Sequence, residues 1–171
     1  MIDLSSTSSQ SGFAQRILAP SEPVDAWVWV SYDQLNLELL KGIQERIGSI
    51  GILLIESESK GRSRPFHKQK LAFVLSNLRH FALEAQVSGY QVRYVVSKDG
   101  YSQTLSSLRG DLGAIHCIAH AERSTRIEVQ SLVEQGDLIV HPHCGWLTPR
   151  AWFTDAVGEQ PPFRMDPFYR S

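Results

Sequence analysis

Short apolar runs alternate with polar or helix-like stretches along this chain, and this alternation restricts its fold more than any other feature. Each run is short enough for a strand and is rich in Val, Ile and aromatic residues. Several are apolar at both sets of alternating positions, which is typical of parallel strands buried between two layers of helices. The five runs are AWVWVSY (26–32), GILLIES (51–57), QVRYVV (91–96), AIHCIAH (114–120) and DLIVHP (137–142).

Helical patterns separate these runs. The clearest spans 67–89, where apolar residues recur at helical spacing and Gly89 fits a C-terminal stop. Weaker patterns cover 35–47, 102–110 and 124–135. Strands that alternate with helices predict right-handed crossovers, so the expected fold is an α/β three-layer sandwich around a five-stranded parallel sheet. The clearest helix is expected to face the sheet with Leu71, Val74, Leu75, Leu78, Ala82 and Ala85.

Composition and charge narrow the class of protein. With 171 residues, 17 Lys and Arg against 18 Asp and Glu, and 42% hydrophobic residues, the chain is too apolar for a disordered protein. It also lacks the basic excess of a domain that binds nucleic acid through charge alone. No apolar run reaches the roughly 18 residues of a membrane span, and two cysteines cannot form a disulfide framework or a four-thiolate cluster. We therefore expect a cytoplasmic protein with no membrane partner.

The expected organisation is a flexible Ser-rich arm (1–22), one α/β domain (23–157) and a tail rich in Pro and aromatic residues (158–171).

The densest group of charged residues is KGRSRPFHKQK, 60–70, which follows the second run. Ligands of parallel sheets bind outside the carboxyl ends of the strands, and helix amino termini attract anions. This segment is therefore a candidate seat for a phosphate or carboxylate. His67 shares a helix side with Leu71 and Val74, which predicts that it points inward beneath the loop. The alternative is a solvated basic loop in which His67 is a hydrogen-bonded cap.

Two other kinds of chemistry are weaker hypotheses. Imidazoles together with a carboxylate suit zinc, although the spacing of the candidate ligands matches no known motif. An enzyme acting on a phosphorylated metabolite could use His67, His120 or Glu122 as general acid or base, but no paired nucleophile accompanies them. The candidate metal ligands, all of which fall at the carboxyl ends of predicted strands, are His120, Glu122, His141 and His143.

Two apolar surfaces are candidates for contact with a partner, including a second copy of the chain. Phe73 falls opposite the apolar stripe of its helix. The tail places four large apolar residues within 163–169, flanked by prolines. Such residues pack on the domain itself, on a second copy or on another domain.

Several motifs resemble a known family. The segment 67–95 is similar to the amino-terminal region of the prokaryotic photolyase- and cryptochrome-related flavoproteins that carry an iron–sulfur cluster and include bacterial six-four photolyases. Asp33-Gln34-Leu35 resembles the family's G-D-Q-L, Glu56 matches the end of its second strand, and 164–170 resembles its M-E-x-F-Y-R. The H-K-x-K, S-x-x-R-H-F and G-Y-x-V-x-Y motifs correspond to His67, Lys68, Lys70, Ser76, Arg79, His80, Phe81, Gly89, Tyr90, Val92 and Tyr94.

The resemblance implies a Rossmann-like amino-terminal domain that holds a ribityl lumazine as antenna chromophore. In the family, a helical domain that binds FAD, the iron–sulfur cluster and damaged DNA follows it, and the whole proteins are DNA photolyases. This chain is therefore expected to be the antenna half, either stand-alone or truncated, with neither FAD nor a cluster. It would partner an FAD-binding helical domain or flavoprotein in trans, and would not bind DNA strongly alone.

Departures from the family pattern fall in the expected chromophore loop. Lys60 and Ser63 stand where the family offers a Glu and a Tyr to the lumazine, and Phe66 replaces its first histidine. The change predicts a more anionic ligand or the loss of the chromophore, in which case the domain would be an interaction or dimerisation module. The resemblance and the basic loop together predict a ligand site made of Asp33, Gln34, Glu56, Lys60, Arg62, His67 and Lys68.

Overall fold

The computed structural model describes residue 13 and residues 16–143, 145, 150–163 and 165–170. Five strands alternate with helices, within a few residues of the predicted positions. The strands are β1 (Ala26–Trp29), β2 (Ile50–Ser57), β3 (Gln91–Ser97), β4 (Ile115–Ile118) and β5 (Leu138–His141). The helices are α1 (Glu38–Ile47), α2 (Glu58–Arg62), α3 (Lys68–Val87), α4 (Tyr101–Leu112), α5 (Arg123–Glu134), α6 (Arg150–Val157) and α7 (Met165–Arg170).

All strand pairs are parallel, in the order β3-β2-β1-β4-β5, which confirms the predicted three-layer α/β fold. The first three strands extend the sheet in one direction, and β4 then pairs with the other side of β1. Trp27, for example, has Gly51 of β2 as its partner on one side and Ile115 of β4 on the other. The strand order reverses at this point, and ligands of such sheets bind in the crevice at its carboxyl edge.

Alternate residues of the strands divide the core into two layers. Val28, Val30 and Ile52 belong to the layer that includes residues of α1 and α3, whereas Trp29 and Leu53 belong to the layer of α4 and α5. Burying one such side chain stabilises the fold by about 1.5–3 kcal/mol. The six predicted stripe residues of α3 are buried or half-buried, and Phe73 is 66% exposed, as its position on the helix predicts.

Both terminal segments make contacts where the structure describes them. Phe13 and Ile17, from the arm that the sequence predicts to be flexible, pack against the α1–α3 core layer. In the tail, the rings of Phe163 and Phe168 lie 5.6 and 5.3 Å from that of Phe153 in α6. Two of the tail aromatic residues therefore pack on another part of the same chain, which is one of the three possibilities that the sequence left open. Among the described residues, no helix combines the length and apolar character that crossing a membrane requires.

Candidate functional site

A cavity of about 90 Å³ lies at the carboxyl end of β2, between the sheet, α2 and the first turns of α3. Its wall is mainly apolar because Leu71, Val74, Leu75 and Leu78 of the α3 stripe line it. Polar atoms approach it from Tyr32, Glu56, Ser57, Lys60 and Lys70. The other lining residues are Ile55, Gly61, Phe66, Leu71, Val74, Leu75, Leu78 and Tyr101.

Glu56 is held by two side chains from neighbouring elements. Arg79 of α3 donates from Nη2 to Oε1 at 2.9 Å and from Nε to Oε2 at 3.2 Å, and Tyr94 of β3 donates to Oε2 at 2.7 Å. Burial and the hydrogen bond to Glu56 raise the pKa of Tyr94, so the phenol keeps its proton. The hydrogen bond to Glu56 also raises the pKa of Arg79. Both Glu56 oxygens are therefore already engaged within the fold.

Lys60 crosses the carboxyl edge towards α5. Its Nζ lies 2.8 Å from Oε2 of Glu122, which also accepts a hydrogen bond from Tyr32 at 2.9 Å, while Oε1 of Glu122 accepts one from Ser124 at 2.6 Å. Desolvation raises the pKa of Glu122, but the hydrogen bonds, led by that from Lys60, outweigh it and hold the pKa at about 2. Burial and the bond to Glu122 raise the pKa of Tyr32 to about 12. The charge of Lys60 is thus balanced by an ionised carboxylate.

A second polar network joins the carboxyl ends of β1 and β4. The buried Gln34 amide donates to the carbonyl oxygens of Ile118 at 3.4 Å and Ala119 at 3.0 Å. The Ser31 hydroxyl donates to Asp33 at 2.5 Å and also lies 3.1 Å from Nδ1 of His120. Since that hydroxyl has one proton, His120 donates from Nδ1 and its neutral ring leaves Nε2 unprotonated. Through its two bonds to the carbonyl oxygens of Ile118 and Ala119, Gln34 connects the ends of β1 and β4 at the switch point.

His120 is buried beside an aromatic neighbour. Its ring centroid is 4.5 Å from that of Trp29, and burial lowers the His120 pKa. Neither His120 Nε2 nor Trp29 Nε1 has a hydrogen-bond partner among the described residues. Because burial disfavours the charged imidazolium, His120 stays neutral near pH 7.

The basic segment 60–70 is largely solvated. Arg62 is 80% exposed and pairs with Glu58 at 2.6 Å, and Lys70 lies 5.3 Å from the ring centroid of Phe66. The predicted inward orientation of His67 is wrong: the residue is exposed, and its Nδ1 accepts the Gln69 N–H at 3.3 Å. His67 is the N-cap, with extended backbone angles, so the helical wheel does not describe its side chain.

Glu56 and Lys60 line the cavity, whereas Asp33, Gln34, Arg62, His67 and Lys68 do not. That any of these seven residues contacts a ligand stays a prediction. Sequence reasoning missed the apolar lining, although the stripe of α3 contained its signal, since Leu71, Val74, Leu75 and Leu78 of that stripe line the cavity. The missed lining residues that form the wall include Tyr32, Phe66, Leu71, Val74, Leu75 and Tyr101.

The candidate metal ligands are not assembled. His141 pairs with His116, whose Nδ1 lies 2.8 Å from Nε2 of His141 in stacked rings, and His143 accepts the N–H of Gly145 at 3.0 Å. Across the part of the chain that the structure describes, no three His, Cys, Asp or Glu side chains are grouped so as to hold a metal ion. The four-ligand hypothesis therefore has no geometric support.

Comparison with known proteins places the chain in a family. No curated protein matches it. The family model of the deoxyribodipyrimidine photo-lyase-related proteins matches residues 28–171, which include every strand except the first two residues of β1. The parallel sheet and the match over most of the chain lead to one conclusion: this protein belongs to the deoxyribodipyrimidine photo-lyase-related family.

Proposed function

We propose that this chain is an antenna-type domain that seats the flat ring of a chromophore in the cavity at the carboxyl end of β2 and serves a flavoprotein in trans. The observation that carries the proposal is the position and lining of that cavity. It lies at the edge of a parallel sheet where ligands usually bind, and its apolar wall includes Phe66 and the first four residues of the α3 stripe. Apolar walls with a few polar groups are characteristic of sites for aromatic ligands.

The lining favours an uncharged ring over an anion. Lys60 is paired with Glu122, Arg62 with Glu58, and Lys70 lies against Phe66. A phosphate or carboxylate would have to compete with these partners. The more anionic ligand that the loop sequence predicts is therefore not part of the proposal.

A whole ribityl lumazine does not fit the cavity as it stands. About 90 Å³ corresponds to roughly three water volumes, whereas sites for ligands of that size span about 300–1,000 Å³. With Glu56 engaged by Arg79 and Tyr94, only the ring would enter, and a ribityl chain would extend past Tyr32 and Lys60. Binding would require α2 to move away from α3.

The test is titration of the full chain with a ribityl lumazine, FMN and FAD, followed by ligand fluorescence and calorimetry. Gly61 lines the cavity, and a Cβ added there would make an ordinary contact, 3.9 Å from Leu71. Gly61→Leu should fill the space and abolish binding. Gly110→Leu, at an exposed helical glycine with no atom within 4 Å of its Cβ position, should bind like the native protein.

Two outcomes would overturn the proposal. If Gly61→Leu binds the ligand as the native chain does, the ligand occupies another place. If none of the three ligands binds and the purified protein is colourless, the cavity has no chromophore role.

A second candidate function is an interaction module that has lost its chromophore. The small volume of the cavity and the internal pairing of Glu56 and Lys60 favour it. Under this proposal, Phe73 and the aromatic tail, including the 77% exposed Tyr169, contact a partner protein. Co-purification with a flavoprotein from native cells that Phe73→Lys abolishes, together with the absence of ligand binding, would favour this candidate over the first.

A further inference from the structure

The two edge strands of the sheet differ in how they are covered. Beside β3, Ser21 donates its N–H to Gln91 at 2.9 Å, and Arg93 forms an ion pair with Asp111 at 3.0 Å. On β5, Ile139 and Val140 are 39% and 41% exposed, on opposite faces of the sheet. Proteins usually protect an edge strand with charges, prolines or covering segments. The exposed apolar side chains of β5 are instead typical of an edge strand that pairs with a strand of another chain.

The backbone of β5 offers hydrogen-bonding groups along this edge. Asp137 and His141 direct their carbonyl oxygens to β4, where they accept the N–H groups of Ile115 at 3.0 Å and Ala119 at 2.8 Å. Because these groups alternate in direction along a strand, Leu138 and Val140 direct theirs away from β4. Each of these two residues offers one donor and one acceptor to a further strand.

The neighbouring helix α5 extends this surface. Ile127, 54% exposed, and Val133, 38% exposed, line an open groove of about 370 Å³ together with Val140. On the same side of α5, Arg123 stands at the amino end and Glu134 at the carboxyl end, about 16 Å apart at 1.5 Å per residue. Neither forms an ion pair with another described residue.

This charge arrangement fits a second copy of the chain. A two-fold interface brings the same patch together in reversed direction, so a patch with opposite charges at its two ends is complementary to itself. We propose that two copies join through β5 in antiparallel pairing, with Leu138 of one copy opposite Val140 of the other. The two α5 helices then lie side by side, with Arg123 of one copy facing Glu134 of the other. Ile127 and Val133 fill the space between them.

The experiment measures the mass of the full chain by sedimentation velocity across a wide concentration range. The native protein should change from monomer to dimer as concentration rises. Arg123→Glu and Glu134→Arg should each weaken the dimer about ten-fold or more, because like charges would face each other. The double variant should restore the native dissociation constant, which a general folding defect would not allow. Val140→Lys should abolish the dimer.

Val87→Lys, at a 91% exposed position at the carboxyl end of α3, is the matched control for Val140→Lys and should leave dimerisation unchanged. A native chain that remains monomeric at all concentrations overturns the proposal, including the case in which β5 binds only a different protein. A double charge reversal that stays monomeric while its circular dichroism is native overturns it equally. Neither result bears on chromophore binding, which concerns the cavity at β2, three strands away from β5 in the sheet.

Discussion

On the β2 side of the carboxyl edge, apolar side chains of α3 form most of a cavity wall, and the half-buried carboxylate of Glu56 is held by Arg79 and Tyr94. On the β1–β4 side, polar side chains fill the edge, and they bond mainly to each other and to the ends of the strands. The motif residues Asp33 and Gln34 belong to this second side. The difference teaches that the polar motif residues Asp33 and Gln34 bond within the sheet edge, whereas most of the apolar cavity wall comes from residues outside the recognised motifs.

The largest expected effect comes from breaking the polar lock beside the cavity. Arg79→Met should lower the free energy of unfolding by about 2–3 kcal/mol, since Glu56, 13% exposed, would lose its cationic partner. The figure is below that for a fully buried pair because Arg79 is 39% exposed. Urea unfolding monitored by circular dichroism measures it.

The control for this prediction is Arg93→Met, which removes one partner of the more exposed pair with Asp111. It should cost less than about 1 kcal/mol. Equal losses in the two variants would mean that the Glu56 lock is no stronger than a surface ion pair. The contrast between the two sides of the edge would then lose its energetic basis.

The next effect concerns the connection between β1 and β4. Gln34→Leu keeps the size of the side chain but leaves the carbonyl oxygens of Ile118 and Ala119 without its amide donors. We expect a loss of about 1–2 kcal/mol in the free energy of unfolding, because buried carbonyl groups would lose hydrogen bonds. Thermal and urea unfolding measure the change.

Gln86→Leu is the matched control, since its amide also donates to a backbone carbonyl, that of Leu18 at 3.1 Å, but in an exposed place. It should change stability by less than about 0.5 kcal/mol. If Gln34→Leu is as mild as this control, Gln34 is free to serve a ligand, as the family resemblance implies.

The spacing of apolar residues along the chain is sufficient to predict the strands and the long helices. Strands buried on both faces are apolar throughout, and each helix that covers the sheet has an apolar stripe. They did not reveal α2, whose five residues are too few and too polar to show a helical period. The site was harder to predict because side-chain pairing depends on the register of separate elements. Glu56, Arg79 and Tyr94 lie in three different elements, and no spacing along the chain indicates that they meet. The inward orientation predicted for His67 is wrong because an N-cap residue has extended backbone angles, so the helical wheel does not describe its side chain.

The last expected effect concerns the pH dependence of stability and comes from Glu122, which joins the two sides through Lys60. Its pKa falls from 4.5 to about 2 on folding, so the folded state binds fewer protons than the unfolded state between these values. The stabilisation is complete above pH 4.5 and is lost as the pH falls towards 2. Glu122→Gln should therefore lower stability near pH 7 and flatten the decline of stability over this interval. Urea unfolding at a series of pH values measures the slope, with the exposed Glu84→Gln as control. A native slope in Glu122→Gln would mean that the bridge from α2 to α5 contributes no stability, and that Lys60 is available to a ligand at the cavity.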